Sequence, residues 1–291
     1  MGKLIVVIGA TGVGKSAYAL QLARQYHTHI ISADSRQVYR GMEIGTDAPS
    51  LEERALVPHH FIQSRDVEYP YSASEWATEA LGLIENLMQH YPTLVMVGGS
   101  MMYLQAFLYG MDDVPAPEPE VREALWRLFE EEGVEPLRAE LLRVDPQYLE
   151  RIDANNHKRI IRALEVWQTT GRPFSSYHTT PEAKTFPFEV ELHLVDRPRQ
   201  ELYRRINSRV ALMVERGLVD EVQALRPYRH LNALNTIGYK EIFAYLDGNI
   251  TLEQAEQQIA KNSRVYARQQ SNFFARWCTP NSPFQYHIIH P

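Results

Sequence analysis

Short apolar runs of strand length alternate with helix-length segments over roughly the first 110 residues. Residues 3–8 (KLIVVI), 29–32 (HIIS) and 93–97 (TLVMV) each form such a run. A helix to about residue 26 is predicted after the first run, and one to about residue 109 after the third. This alternation of strands and helices predicts a mostly parallel sheet with helices on both faces.

The pattern changes at a proline-rich acidic segment, MDDVPAPEPE, at residues 111–120, which predicts a domain boundary. Helical apolar stripes follow, for example in HKRIIRALEVWQTTGRP, where Gly171 and Pro173 are stop signals. Strand character returns at residues 185–196, and we expect this strand to rejoin the sheet. Two long helices are then predicted, near residues 198–226 and 252–277.

One loop between a predicted strand and a predicted helix carries the clearest chemistry. GATGVGKS matches the phosphate-loop pattern G-x-x-x-x-G-K-[ST] in full. Backbone N–H groups and the helix N-terminus would cradle two phosphates, Lys15 would add a positive charge, and the Ser16 hydroxyl would ligate Mg²⁺. The predicted diphosphate-binding residues are Gly9, Ala10, Thr11, Gly12, Val13, Gly14, Lys15 and Ser16. The loop specifies a diphosphate and not the base of a nucleotide.

We therefore predict an α/β fold: a P-loop NTPase-like parallel sheet core covered by helices, with an inserted all-helical domain. The core is expected to comprise residues 1–113 and 186–291, and the inserted domain residues 114–185.

Two further strand ends are expected at the same edge of the sheet as the loop. Asp34 follows the second strand, where ligands bind in open α/β sheets. Its carboxylate suits a Mg²⁺ ligand or a general base, but also an Asx turn or a helix cap, and position alone does not choose. The third strand ends in Gly98-Gly99-Ser100 and lacks the acidic residue that ordinary P-loop NTPases place there, which argues against routine ATP hydrolysis.

Charge is uneven along the chain. The formal net charge of -6 by itself argues mildly against a nucleic-acid partner. Acidic residues nevertheless dominate residues 118–150 and basic residues dominate residues 151–209. Arg205 and Arg209, and likewise Arg159 and Arg162, share helix faces that suit phosphates, although solvated faces with local ion pairs would look the same. The sequence therefore does not decide whether this acidic protein carries a local basic surface.

Cysteine content and hydropathy bear on the compartment. The single cysteine, Cys278, excludes a disulfide within the chain and a multi-cysteine zinc site, and it fits a reducing environment. No apolar run approaches the roughly 20 residues of a membrane helix, and no signal-peptide pattern opens the sequence. We expect a cytoplasmic protein without a membrane partner.

Taken together, several segments resemble the tRNA dimethylallyltransferases along nearly the whole chain. The resemblance is carried by GATGVGKS, DSRQVYRGMEIGTDAP (residues 34–49), PHHFI (58–62), GGSMMY (98–103), KRIIRALEV (158–166), LYRRINSRVALMVERGLVDEV (202–222) and IGYKEI (237–242). This resemblance implies transfer of a dimethylallyl group from dimethylallyl diphosphate to N6 of adenine 37, beside the anticodon of tRNA. It also implies that Mg²⁺ assists departure of the diphosphate, and that the inserted helical domain binds the anticodon stem-loop. We expect a monomer.

The resemblance also implies roles for individual residues. Asp34, Ser100 and Arg209 are expected in the reacting centre, with Asp34 accepting the proton from the amine and Arg209 near the leaving group. The residues expected to contact tRNA are Asp34, Ser35, Arg36, Gln37, Ser100, Arg122, Lys158, Arg159, Ile160, Ile161 and Arg162.

Some positions depart from the family pattern. GGSMMY stands where GGTGLY is common, and the usual lysine after IGT is absent from TDAP. Near the C-terminus, ARQQ followed by SNFF stands where a KRQ-T-WF ending is usual. These changes bear on rate and donor preference. Two other enzymes remain as alternatives, an adenylate isopentenyltransferase acting on a free nucleotide and a small-molecule P-loop kinase. A catalytically weak tRNA-binding relative is a third.

Overall fold

The computed structural model describes residues 2–112, 114–116, 118–178 and 182–290. The chain divides into two compact units, one of Met1–Tyr109 with Ala183–Pro291 and the other of Gly110–Glu182. The predicted boundaries lay a few residues further along the chain in both cases. Asp113, at the first predicted boundary, lies outside the described residues.

The first unit is built on one parallel sheet, as the sequence predicts. Its strands are Lys3–Gly9 (β1), Ile30–Ala33 (β2), His59–His60 (β3), Thr93–Gly98 (β4), Glu189–Val195 (β5) and Gln285–Ile289 (β6). They lie in the order β3-β2-β4-β1-β5-β6, and all neighbours pair in parallel. The expected strand near residues 185–196 is β5, and it rejoins the sheet beside β1.

Helices make up most of the remaining structure. In chain order they are Lys15–Gln25 (α1), Leu51–Leu56 (α2), Ala73–Leu87 (α3), Met101–Leu108 (α4), Pro119–Glu132 (α5), Glu135–Val144 (α6), Pro146–Leu149 (α7), His157–Thr170 (α8), Arg199–Glu215 (α9), Leu218–Ala224 (α10), Tyr239–Leu246 (α11) and Leu252–Ala275 (α12). Among the described residues, no helix is both long and apolar enough to cross a membrane.

Both faces of the sheet are buried, because alternate residues of each strand enter different apolar clusters. Leu4, Val6 and Ile8 of β1 belong to one cluster, while Ile5 and Val7 belong to the other, which packs on α1. Burial on both faces explains why the central strands read as continuous apolar runs.

One predicted helix is wrong in its extent. Residues 198–226 form two helices, α9 and α10, because Gly217 between them has a φ of 99° that a helix interior does not accommodate. Elements that the sequence patterns did not predict are β3, β6, α2, α3, α6, α7 and α11. Strand β3 has only two residues and β6 is an exposed edge strand, so neither carries a strong periodic signal.

The second unit is helical over its described residues, with α5 to α8 around a small core of its own. Leu125, Leu141 and Leu164 are buried there together with Ile160 and Ile161. The expectation that Ile160 and Ile161 contact tRNA is therefore corrected for their side chains. They form the apolar face of α8 and have at most 2% of their surface exposed.

Candidate active site

The phosphate loop joins β1 to α1, so its residues lie at the carboxyl edge of the sheet. Gly14 is the N-cap of α1 and adopts a φ of 107°, which favours glycine. Helix α1 begins at Lys15 and places Ser16 in its first turn. The loop thus presents a helix N-terminus to the cleft, as an anion site requires.

Side chains from distant segments hold this loop in place. Arg197 Nε donates to Val13 O at 2.7 Å, and Arg205 Nε donates to Gly12 O at 2.8 Å. These arginines fix two carbonyl groups of the loop. Arg205 was predicted to share a phosphate-binding helix face with Arg209. In the structure it supports the backbone of the phosphate loop directly.

Gln270 on α12 ties the loop to the end of β4. Its Oε1 accepts a hydrogen bond from Thr11 N at 2.8 Å, and its Nε2 donates to Gly99 O at 2.7 Å. The contact is close, because a Cβ at Gly99 would lie 2.4 Å from Gln270 Nε2. Gln270 is buried, and its hydrogen bond to Gly99 O is buried with it, whereas the one from Thr11 N is partly buried. Sequence reasoning missed this residue; a glutamine among the inward-facing positions of α12 was the available signal.

Asp34 forms the Asx turn that was one of the roles left open by the sequence. Its Oδ1 accepts hydrogen bonds from Arg36 N at 2.9 Å and Gln37 N at 3.3 Å, which is an Asx turn. Among the described residues, Oδ2 has no hydrogen-bond partner, and Asp34 lines the same cleft as the loop. One carboxylate oxygen therefore shapes the backbone while the other is available for chemistry.

The residues after Asp34 are held by Ser100 and by a neighbouring loop. Ser35 N donates to Ser100 Oγ at 2.8 Å, and the two hydroxyl groups are 3.2 Å apart. Gln37 Nε2 donates to the carbonyls of Thr46 and Asp47, each at 3.2 Å. Ser100 is buried at the start of α4, so its hydroxyl positions the loop that carries Asp34.

Arg209 reaches the loop from α9. Its Nη2 donates to Thr11 Oγ1 at 2.7 Å, and its Nη1 contacts Asp47 Oδ2 at 3.3 Å. Its Nε is buried and has no partner among the described residues. A buried guanidinium N–H without a partner is costly, and an anion in the cleft would satisfy it.

The cleft formed by these residues has a volume of about 610 Å³. Lys15 lies within it and donates to Ala10 O at 2.7 Å. Burial lowers the pKa of Lys15 to about 8, although the nearby Asp34 carboxylate opposes the shift. An anion would restore the charge that burial disfavours.

The cleft contains oxygen atoms of the types that a hard divalent cation binds. Ser16 is exposed at the start of α1, and its hydroxyl has no hydrogen-bond partner among the described residues. The carboxylates of Asp34, Asp47 and Glu53 line the same cleft. Hydroxyl, carboxylate and phosphate oxygens are the ligands that Mg²⁺ prefers.

A partly buried carboxylate holds the backbone at residues 44–45, just before the cleft residues Thr46 and Asp47. Glu221 accepts hydrogen bonds from Ile44 N at 2.7 Å and Gly45 N at 2.9 Å, and from the Tyr239 hydroxyl at 2.6 Å. Sequence reasoning did not single out Glu221 or Tyr239. The signal was available, because the resembling segments LVDEV and IGYKEI contain them.

The remaining predicted tRNA contacts lie in the second unit. Lys158 and Arg159 are exposed in the first turn of α8, and neither has an ion-pair partner among the described residues. Arg122 instead forms two hydrogen bonds with the buried Glu165, at 2.6 and 3.1 Å. Arg162 donates to Pro115 O at 2.8 Å. Within the second unit, Lys158 and Arg159 are thus the predicted contacts that have no ion pair among the described residues.

Comparison with known proteins identifies the family of the chain. The family model "IPP transferase" matches residues 37–277. A tRNA dimethylallyltransferase 2 of Parabacteroides distasonis is 45% identical over 95% of this chain and 92% of its own length. A tRNA dimethylallyltransferase 2 of Porphyromonas gingivalis is 47% identical over 94% of this chain and 91% of its own.

Solved structures are similar as well. The full-length tRNA isopentenylpyrophosphate transferase of Bacillus halodurans has a TM-score of 0.67 and 34% identity, over 99% of this chain and 90% of its own. A eukaryotic dimethylallyltransferase acting on tRNA has a TM-score of 0.76 and 26% identity, over 99% of this chain and 74% of its own. Since the family match spans most of the chain and the relatives match nearly all of it, this chain belongs to the IPP transferase family, that of the tRNA dimethylallyltransferases.

Proposed function

We propose that this protein transfers a dimethylallyl group from dimethylallyl diphosphate to N6 of adenine 37 in tRNA, releasing diphosphate. The observation that carries the proposal is that the phosphate loop, Asp34 and Arg209 line a single cleft. The names of the relatives support the same reaction class. The expectation of a cytoplasmic monomer stays a prediction.

The proposed step is a substitution at C1 of the donor. The bond from C1 to the diphosphate oxygen breaks, and its electron pair leaves with the diphosphate. The N6 lone pair of adenine forms the new C–N bond, and Asp34 Oδ2 accepts the N6 proton. Asp34 suits this role because Oδ1 is already engaged by two backbone N–H groups, which orients Oδ2.

The second requirement of the reaction is that the negative charge on the leaving diphosphate is neutralised. Lys15 and Arg209 supply positive charge beside the loop, and the unpaired Nε of Arg209 is one donor ready for an anion. Ser16 would hold Mg²⁺ together with diphosphate oxygens, and the ion would neutralise further charge. Asp47 restrains Arg209 in the free protein through its 3.3 Å contact.

The acceptor is proposed to be tRNA because the second unit offers exposed cations that a free nucleotide would not require. Lys158 and Arg159 are suited to phosphate contacts at the start of α8. Adenine 37 has to leave the anticodon stack to reach a cleft of this kind.

The decisive experiment is mass spectrometry of nucleosides after incubating purified protein with tRNA, Mg²⁺ and dimethylallyl diphosphate. We expect dimethylallyl-adenosine at position 37. Parallel incubations replace tRNA with AMP, or the donor with ATP. Faster prenylation of AMP would favour the adenylate isopentenyltransferase, and ATP consumption without prenylation would favour the kinase. Binding of tRNA without turnover would identify a weak relative.

A further inference from the structure

A compact polar cluster lies on β5 and β6, separate from the residues that line the cleft. Glu191 and His193 are two residues apart on β5, so they project from the same face of the sheet. His287 on β6 pairs directly with His193 in the strand register. Neighbouring strands lie about 4.8 Å apart, which brings the three side chains together.

The ligand atoms of these side chains converge on one point. His193 Nε2 is 2.7 Å from Glu191 Oε1, and His287 Nε2 is 3.1 Å from the same oxygen. The three ligand atoms all lie within 4.8 Å of one another. Tetrahedral zinc bonds nitrogen and oxygen ligands at about 2.0–2.2 Å. The three ligand atoms would therefore need to move only slightly apart to surround the ion.

Other side chains contact the remaining polar atoms of Glu191 and His193. Lys3 Nζ contacts Glu191 Oε2, the other carboxylate oxygen. The Tyr18 hydroxyl lies 2.8 Å from His193 Nδ1, the other ring nitrogen. Metal ligands in proteins are usually oriented by such outer partners, which bind the ligand atoms that do not face the ion.

We propose that Glu191, His193 and His287 form a zinc-binding site that fastens the edge strand β6 to β5. Zinc would bind Glu191 Oε1 and the Nε2 atoms of both histidines, with water in the fourth position. On zinc binding, the proton of the His193 ring would lie on Nδ1 instead of Nε2. The Nδ1–H group would then donate a hydrogen bond to the Tyr18 hydroxyl. His287, whose side chain is 47% exposed, gives the ion access from solvent.

The alternative is a hydrogen-bonded cluster that only neutralises the buried Glu191. In that case Glu191 Oε1 keeps both imidazole N–H donors and has no affinity for an added cation. The Lys3 charge favours this outcome, whereas two imidazole nitrogens gathered on one carboxylate oxygen favour the metal ion, because these are ligand types that zinc binds. A binding measurement separates them.

The test is calorimetric titration of metal-stripped, full-length protein with Zn²⁺ in the presence of excess Mg²⁺. We expect one tight site, a rise in the unfolding temperature on zinc binding, and the visible absorption of a tetrahedral site with Co²⁺. His287→Ala removes a ligand from a half-exposed edge position, so we expect it to fold and to lose more than about 100-fold in zinc affinity. Tyr18→Phe should lose roughly tenfold, the scale of an outer hydrogen-bond partner.

A matched control is available elsewhere in the sheet. His29 and His60 form another imidazole pair, with Nδ1 and Nε2 2.8 Å apart, on the opposite side near β2 and β3. We expect His60→Ala to keep the zinc affinity of the unmodified protein. The proposal is overturned if His287→Ala binds zinc as tightly as the unmodified protein, or if His60→Ala abolishes the tight site.

Discussion

At the residue scale, the two oxygens of Asp34 have separable tasks. Oδ1 accepts from the backbone N–H groups of Arg36 and Gln37, whereas Oδ2 has no partner among the described residues. A substitution that keeps the turn and removes the basic oxygen therefore isolates the chemistry from the fold. Alanine at this position would remove both.

Asp34→Asn is such a change, because the asparagine carbonyl still accepts the two N–H groups. We expect turnover to fall by about 10²–10⁴-fold, the usual contribution of a general base, with tRNA affinity unchanged. Single-turnover kinetics and a tRNA-binding assay measure the two quantities. Asp66→Asn, at an exposed ion pair with Arg40, is the control. Near-normal turnover of Asp34→Asn would remove Asp34 from the role of base.

Lys15 gives a prediction about pH. Burial lowers the pKa of Lys15 to about 8, and a bound diphosphate favours the charged ammonium. The pKa must therefore rise on binding, so the complex takes up a proton at pH values above the pKa of the free protein. At about pH 9 we expect uptake of about one proton.

Calorimetry of dimethylallyl diphosphate binding in buffers of different ionisation enthalpy measures this uptake. Lys15→Met should abolish the uptake and weaken donor binding. Unchanged proton uptake in Lys15→Met would show that another group titrates.

At the scale of elements, helix α12 matters because its residue Gln270 joins the phosphate loop to the end of β4. Gln270→Met keeps the length of the side chain but leaves Thr11 N and Gly99 O without their partner. Unpaired buried groups cost about 1–3 kcal/mol, so we expect donor affinity to fall by about tenfold. Gln269→Met, at an exposed neighbouring position, is the control and should bind donor normally. Equal affinities for the two variants would contradict the bridging role.

The break between α9 and α10 is also testable. A side chain at Gly217 meets no close neighbour, but the φ of 99° strains any residue with a Cβ. Gly217→Ala should lower the free energy of unfolding by about 1–2 kcal/mol. Gly82→Ala, in the exposed interior of α3 where nothing lies within 4 Å, should raise it by up to about 1 kcal/mol. Denaturant unfolding measures both, and a shared sign would contradict this explanation.

The elements that sequence patterns identified were those with strong periodicity or distinctive loops. The break between α9 and α10 was missed because the helical pattern resumes directly after Gly217. A single glycine inside such a pattern does not by itself show that one helix ends and another begins. Strand β6 was missed because an edge strand, exposed at most of its positions, lacks an apolar run. Helix α3 did carry an apolar stripe, at Trp76, Ala80 and Ile84, that the prediction omitted.

At the scale of the whole molecule, the second unit carries the exposed cations that are proposed to contact tRNA. Lys158 and Arg159 are exposed cations in a protein whose formal net charge is -6. Binding that depends on them should therefore be local and sensitive to salt. Arg122 and Arg162 should contribute less, because Glu165 pairs with both.

Replacing Lys158 and Arg159 together with alanine should weaken tRNA binding and reduce the slope of log affinity against log salt by roughly two. Filter binding across a salt series measures this slope. Arg127→Ala with Arg143→Ala is the matched control, since both arginines form exposed ion pairs within their own helices. An equal loss in the control would mean that overall charge, rather than these two cations, drives binding.

The sequence by itself determined the phosphate loop, the central parallel strands and the family, because these depend on local spacing and on runs of apolar residues. It also placed Asp34 and the loop on the same sheet edge. Only the tertiary structure decided which oxygen of Asp34 is free, that Gln270 holds a loop 259 residues away, and that Ile160 and Ile161 are core residues. It likewise brought Glu191, His193 and His287 together. Contacts between side chains far apart in the chain depend on strand register and helix rotation, which no local pattern specifies.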